Sequence, residues 1–114
     1  MIAVIFEVYT AEGQTDTYLE HAARMRPMVE EHPGFISVER FRSLTDPDKL
    51  LSVSFFEDEA ALNAWRNRPE HRATQSAGRD GIFDDYRLRV AEVIRDYGMH
   101  NREQAPLDSK GEHG

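Results

Sequence analysis

The first strand-like run of the chain, Ile2 to Thr10, is apolar on both of its faces, and this feature most constrains the fold. Its residues are mostly Ile, Val, Phe and Tyr, which favour strands. On one face every side chain from Ile2 to Val8 is apolar, and on the other only Glu7 is charged. A strand of this kind belongs inside a sheet that is covered on both sides.

Three further runs have strand character: Phe35 to Leu44, Leu50 to Glu57 and Asp84 to Tyr97. The turn residues Thr-Asp-Pro-Asp-Lys at positions 45–49 predict a hairpin between the first two. In the last run the apolar alternation changes parity at Val90-Ala91, which predicts a β-bulge there.

Simple alternation within the second run assigns Ile36 and Val38 to one face of the sheet. The same alternation assigns Phe35 and Phe41 to the opposite face.

The segment from Gln14 to His32 has the apolar spacing of a helix. Thr15 or Asp16 is expected to cap its first turn. Pro27 lies inside the pattern and removes one backbone hydrogen bond, so the sequence predicts a kink near Arg24 or a break into two pieces.

A second helix is predicted from the capping residue Asp58 to about Asn67, with Ala61, Leu62 and Trp65 on its apolar side. Pro69 fits the first turn of another short helix that ends near Gly78.

The resulting order is strand, helix, strand, strand, helix, strand, which predicts an α+β, ferredoxin-like fold with an antiparallel sheet. The chain has 114 residues, enough for one small domain. Both helices of such a fold cover the same face of the sheet. Because the other face here is also apolar, we expect a second copy to cover it and predict a homodimer.

Composition argues against several classes of function. The net charge is −7 with a pI near 5.2, so no general attraction to nucleic acid or anionic lipid is expected. No cysteine is present, and the five histidines show no metal-ligand spacing, so no metal site is predicted. No apolar run approaches the ~20 residues of a membrane span, and the first residues do not resemble a signal peptide. A cytoplasmic location is the expectation.

The motif Asp58-Glu-Ala, followed by Trp65-Arg66 and then by Glu70-His71 before a strand, resembles the antibiotic biosynthesis monooxygenase (ABM) family. The resemblance covers residues 2–98. We take residues 1–98 as the domain and 99–114 as a polar tail that is mobile or contacts a partner. It implies a homodimeric α+β barrel with one pocket in each subunit. It also implies oxidation of small quinol-like aromatic compounds by molecular oxygen, with no flavin, haem or metal cofactor.

Asn63, Trp65 and His71 are the residues that we expect to be catalytic. The resemblance implies that cofactor-free members of the family use polar residues around a Trp. Asn63 and Trp65 are the residues of this chain that we match to them. His71 is the candidate base, because histidine titrates near neutral pH. Each also has a plain structural interpretation: Trp65 as a core anchor, His71 as a surface residue and Asn63 as a solvated or capping side chain.

Four residues are predicted to bind the substrate. Gln75 follows His71 by one helical turn and shares its face. Arg72 offers a guanidinium for an anionic ring oxygen, and Tyr86 and Met25 are expected at the pocket edge or in the core.

Two alternatives stay open on this reasoning. The first is a dimer without catalytic activity that binds a small apolar ligand. The second is a haem-binding or haem-degrading relative. The haem reading is disfavoured because the first strand has no Asn and because His71 lies close to Trp65, whereas the haem-degrading members carry their histidine further on.

Overall fold

The computed structural model describes residues 1–69, 71–72, 76 and 81–108. Four strands pair in the order β2-β3-β1-β4, and every pairing is antiparallel. This confirms the predicted ferredoxin-like order. The elements are β1 (Ile2–Thr10), α1 (Thr15–Glu30), β2 (Phe35–Arg42), β3 (Lys49–Phe56), α2 (Glu59–Arg66) and β4 (Phe83–Glu92).

The helix-covered face of the sheet holds two apolar clusters. The cluster at one end joins Ile2 and Phe56 to Val29 of α1 and to Leu62 and Trp65 of α2. The cluster at the other end consists of Val8, Leu50 and Tyr18, with partly buried neighbours. The residues contributed by β1, Ile2 and Val8, belong to the face of that strand on which every side chain is apolar. The middle of this face, between the two clusters, is where the cavity described below lies.

The helix α1 differs from expectation at its start and in its middle. Neither Thr15 nor Asp16 caps it: the N-cap is Gln14, whose side chain makes no capping bond. The Thr15 hydroxyl lies 2.6 Å from the Thr10 hydroxyl instead, at the end of β1. The predicted break into two pieces is also wrong, since the helix runs unbroken through Pro27. Pro27 is solvent-exposed, so the carbonyl that it leaves without a helical partner can be solvated.

The faces predicted for β2 are wrong because the strand contains an irregularity at its start. Its pairing with β3 shifts between Phe35 and Ser37, so the extra residue Ile36 has no direct partner. Phe35 and Val38 consequently pack into the same cluster under the helices. A bulge of one residue reverses the side-chain alternation beyond it.

The bulge predicted in β4 at Val90-Ala91 is also wrong. These residues pair regularly with Val4 and Ala3 of β1, and the irregularity lies at the other end of β4, near Phe83. The strand ends at Glu92 rather than Tyr97. The change of parity in the sequence reflects no bulge: Ala91 pairs with Ala3 on the outer face of the sheet, and Val93 lies beyond the end of the strand.

The α2 helix begins as predicted. The Asp58 carboxylate accepts a hydrogen bond from the Ala61 backbone N–H at 2.8 Å, which satisfies one of the free amides of the first turn. Gly34, at φ +84°, ends the turn between α1 and β2. Within the described residues, no helix is sufficiently long and apolar to cross a membrane.

The outer face of the sheet carries partly exposed apolar side chains around one group of charges. Glu7 of β1 lies 3.5 Å from the Lys49 ammonium and 3.3 Å from the Arg89 guanidinium. Desolvation opposes ionisation of this carboxyl, but the Arg89 and Lys49 charges outweigh it and lower the pKa of Glu7. The apolar residues of this face include Ile5, Leu51, Val53 and Phe55.

Candidate active site

A cavity of about 840 Å³ lies between the helices and the sheet. This volume falls within the range of roughly 300–1,000 Å³ that is usual for small-molecule sites. It extends over β4, where Tyr86, Leu88 and Val90 are exposed although they are on the helix-covered face. The cavity is therefore open to solvent over β4.

The floor of the cavity is formed by two rows of side chains that cross all four strands. The pairing register aligns one row through β2, β3, β1 and β4 as Arg40, Ser52, Phe6 and Leu88. The next row runs in the same order through Val38, Ser54, Val4 and Val90, and all eight residues line the cavity. The floor is thus partly polar over β2 and β3 and apolar over β1 and β4.

Trp65 forms part of the wall at the α2 end and is buried, with 6% of its surface exposed. The capped first turn of α2 and the packing of Leu62 hold this helix against β3. Three groups surround the indole: the His71 ring with its centroid at 5.4 Å, the His32 ring at 5.7 Å and the Arg68 guanidinium at 5.4 Å. Trp65 therefore anchors the core and lines the cavity at the same time.

His71 also lines the cavity, and its Nδ1 atom is buried with no hydrogen-bond partner in the described part of the chain. Burial is the main cause that lowers the pKa of His71, and the nearby Arg66 charge acts in the same direction. The backbone of Arg66 acts in the opposite direction without outweighing them. A histidine with a lowered pKa is neutral at pH 7, which is the form that can accept a proton.

Of the seven residues predicted for the site, six line this cavity: Met25, Asn63, Trp65, His71, Arg72 and Tyr86. Gln75 lies outside the described residues. Asn63 and Arg72 are exposed at the rim, and Arg72 donates a 2.6 Å hydrogen bond to the Asn67 side chain. Tyr86 contacts the Phe6 ring at 5.7 Å. The roles assigned to these residues remain predictions.

The sequence reasoning missed a polar group at the far side of the floor, made of Tyr18, Arg40 and Ser52. The Arg40 Nε–H donates to the Tyr18 hydroxyl at 3.4 Å, and Ser52 lies beside Arg40 in the strand register. Tyr18 and Ser52 are buried and Arg40 is half-buried. The three residues are far apart in the chain, so no local motif reveals them. An inward-pointing Arg on a strand is the only signal in the sequence.

The charged side chains that line the cavity are all positive among the residues described. They are four arginines, and no Asp or Glu is among the described lining residues. The whole chain carries a net charge of −7, so this lining is the reverse of the average surface. Arg26 and Arg66 are exposed and their charges are screened by solvent, whereas Arg40 is within the site.

A smaller pocket of about 580 Å³ lies elsewhere, between the end of β4 and the segment 104–107. No histidine or aromatic residue lines it. In the described ranges, no group of three His, Cys, Asp or Glu side chains is arranged to bind a metal ion. We therefore assign the candidate active site to the larger cavity.

Residues 1–77 match the family model described as antibiotic biosynthesis monooxygenase. The chain is 45% identical over 93 residues to the "Jasmonate monooxygenase ABM" of Pyricularia oryzae. That alignment covers 82% of this chain and 43% of the relative, so the chain spans less than half of that longer protein. It is also 37% identical over 93 residues to the uncharacterized protein YqjZ of Bacillus subtilis, covering 82% of this chain and 79% of YqjZ.

Among solved structures, SnoaB from Streptomyces nogalater, described as a cofactor-independent oxygenase, has a similar fold. The TM-score is 0.73 at 12% sequence identity, and the match covers 83% of this chain and 94% of that one. At this level of identity the similarity concerns the fold alone.

Proposed function

Because the chain belongs to the antibiotic biosynthesis monooxygenase family, we propose that it oxidises a small quinol-like aromatic compound with molecular oxygen. The observation that carries this proposal is the position of His71. Its imidazole has a lowered pKa and an unpartnered Nδ1, and it lies beside the indole of Trp65 in the wall of a large cavity. A ring hydroxyl in the cavity would meet a neutral base.

In the proposed reaction, His71 accepts the proton of the ring hydroxyl. The electron-rich anion passes one electron to oxygen, and the two radicals combine to form a carbon–oxygen bond. The resulting peroxide anion takes a proton back from the His71 imidazolium. The hydroperoxide then loses water, with the hydrogen of the same ring carbon, to leave a carbonyl, so one oxygen atom stays in the product and the other leaves as water. No flavin, haem or metal is required by this sequence of steps.

The protein contributes orientation, desolvation and stabilisation of the anion. The apolar floor over β1 and β4 receives the ring, and Trp65, Tyr86 and Met25 form the surrounding walls. Arg72 and Asn63 lie at the rim, where donors can contact a ring oxygen. The arrangement of the lining side chains supports these proposed roles.

Oxygen uptake in metal-free buffer tests the proposal, with a panel of quinols and anthrone-like ring compounds. Jasmonate joins the panel because a relative is named for it. We expect turnover by the wild type and a loss of about 100-fold or more in kcat for His71→Gln, since a general base contributes typically 10²–10⁴-fold. His100→Gln is the matched control, because His100 is exposed and does not line the cavity.

Unchanged kcat in His71→Gln would remove His71 from the mechanism. Turnover of jasmonate with none of any quinol would move the substrate class away from aromatic compounds. Binding of panel members without oxygen uptake would favour a ligand-binding protein that lacks catalysis, and the large cavity makes such binding a measurable alternative.

We propose further that the protein is a homodimer in which two sheets meet through their outer faces. Partly exposed Ile5, Leu51, Val53 and Phe55 on that face support this arrangement. Sedimentation at micromolar concentration should give a dimer for the wild type and a monomer for Val53→Glu, which adds a charge at the centre of β3. A stable wild-type monomer would contradict the proposal.

A further inference from the structure

The polar group formed by Tyr18, Arg40 and Ser52 is not used by the proposed reaction. It lies on the cavity floor at β2 and β3, whereas the proposed base is contributed by the segment after α2. A half-buried arginine that faces a cavity has lost part of its hydration, and an anion or several acceptors can replace the lost hydrogen bonds. The question is therefore what this guanidinium binds.

The described residues of the protein supply few hydrogen-bond partners for the Arg40 guanidinium. Within the described part of the chain its one side-chain contact is the 3.4 Å bond from Nε to the Tyr18 hydroxyl, and no carboxylate pairs with it. Its other N–H groups are therefore available for an acceptor. The Tyr18 hydroxyl accepts from Arg40, so its own proton can be donated to a further acceptor. The Ser52 hydroxyl lies on the neighbouring strand position and can donate as well.

The rest of the floor indicates the shape of the ligand. Next to Ser52 in the same row lie Phe6 and Leu88, and the parallel row ends in Val4 and Val90. Adjacent strands are about 4.8 Å apart, so the row from Arg40 to Leu88 spans roughly 14 Å. A ligand that matches this floor has an acidic group at one end and an apolar body of several carbon atoms beyond it.

We propose that Tyr18, Arg40 and Ser52 bind the carboxylate of an amphipathic organic acid whose apolar body lies over β1 and β4. This rests on the proposed function, because it sets the orientation of the substrate of that same site. The guanidinium makes charge-assisted hydrogen bonds to the carboxylate, and the two hydroxyls complete its coordination. The ring hydroxyl that reacts is then at the end of the molecule remote from Arg40.

The test measures binding without turnover, by calorimetry under anaerobic conditions. The probes are para-hydroxybenzoate, para-hydroxyphenylacetate and para-hydroxyphenylpropionate, each paired with its uncharged carboxamide. The three acids place the carboxylate at increasing distances from the ring. We expect at least one acid to bind the wild type about tenfold or more tightly than its carboxamide, which is the usual effect of a hydrogen bond to a charged group.

Arg40→Gln should abolish this preference, Arg40→Lys should restore part of it, and Tyr18→Phe should reduce it severalfold. The matched control is Arg42→Gln on the same strand, since Arg42 is exposed, donates to the Pro47 carbonyl at 2.8 Å and does not line the cavity. Retention of the preference in Arg40→Gln, equal affinities for acid and carboxamide, or no binding of any probe would each overturn the inference.

The outcomes separate this inference from the proposed function. An acid preference that depends on Arg40, with no oxygen uptake on any compound, supports the carboxylate site and overturns the oxygenase. Turnover of quinols with equal affinity for acids and carboxamides supports the oxygenase and overturns the carboxylate site.

Discussion

The two faces of strand β3 show how differently adjacent residues are used in this protein. On the helix-covered face, Leu50, Ser52 and Phe56 are buried, and Phe56 is only 2% exposed. On the outer face, Leu51, Val53 and Phe55 are apolar as well, yet they remain partly exposed. Alternation along a strand decides which residues share a face, but burial depends on whether another element covers that face.

The largest effect is expected from truncating the two adjacent phenylalanines of β3. Phe56→Ala should lower the free energy of unfolding by about 3–5 kcal/mol, because it removes a ring from the centre of the helix-side cluster. Phe55→Ala should cost roughly 1 kcal/mol in dilute solution, as a partly exposed side chain does. Denaturant unfolding measures both.

Repeating the unfolding series at higher protein concentration sharpens this result. If the outer faces associate, the cost of Phe55→Ala rises with concentration while that of Phe56→Ala changes less. Equal losses for the two variants in dilute solution would show that the two faces do not differ as described.

The next effect concerns how tightly the helix side is packed. Gly34 and Gly13 both have positive φ, +84° and +75°, so Ala at either position costs about 1–3 kcal/mol in backbone strain. A Cβ at Gly34 would in addition lie 2.5 Å from the Cβ of Ala61 in α2, whereas one at Gly13 meets nothing within 4 Å. We expect Gly34→Ala to unfold at clearly lower denaturant than Gly13→Ala. Equal denaturant midpoints for the two variants would mean that α2 shifts away from the added methyl group at little cost in free energy.

A smaller effect is expected from pH, acting on the helix side through His71. Its pKa in the folded protein is lowered by burial, so the unfolded chain binds the proton more readily. Stability should therefore decrease as the pH falls through the unfolded value of about 6.5 towards the folded pKa, and level off below it. His71→Gln should remove this part of the pH dependence, and His100→Gln should keep it. An NMR titration that gives an ordinary or raised pKa for His71 would contradict this.

The smallest effect is expected on the outer face, in the charges around Glu7. Its pKa is lowered because Arg89 and Lys49 outweigh desolvation, so its contribution to stability is present near neutral pH and is lost as the pH falls through the folded pKa. Arg89→Gln should raise the pKa of Glu7 with little change in stability, since the Arg89 side chain is exposed and solvent screens its charge. A large loss of stability in Arg89→Gln would show instead that Glu7, Lys49 and Arg89 lie in a subunit interface from which water is excluded.

Several features of the site could be anticipated because they are local. Trp65 and His71 are six positions apart, and the Asp58 cap and the apolar side of α2 fix the orientation of the helix that carries the indole. Arg40 and Tyr18 meet only because α1 packs over β2 of the sheet. No spacing in the chain encodes that contact, so the sequence does not predict this polar group.

The order of the elements and the fold followed from the sequence alone, because apolar periods and turn residues are short-range signals. The errors in β2 and β4 have one cause: a strand's pattern does not show where its pairing slips by a residue, and that depends on the neighbouring strand. The tertiary structure likewise decided that the helices leave the middle of the sheet uncovered. A cavity is the space between elements, and its size depends on how their side chains meet rather than on any one segment.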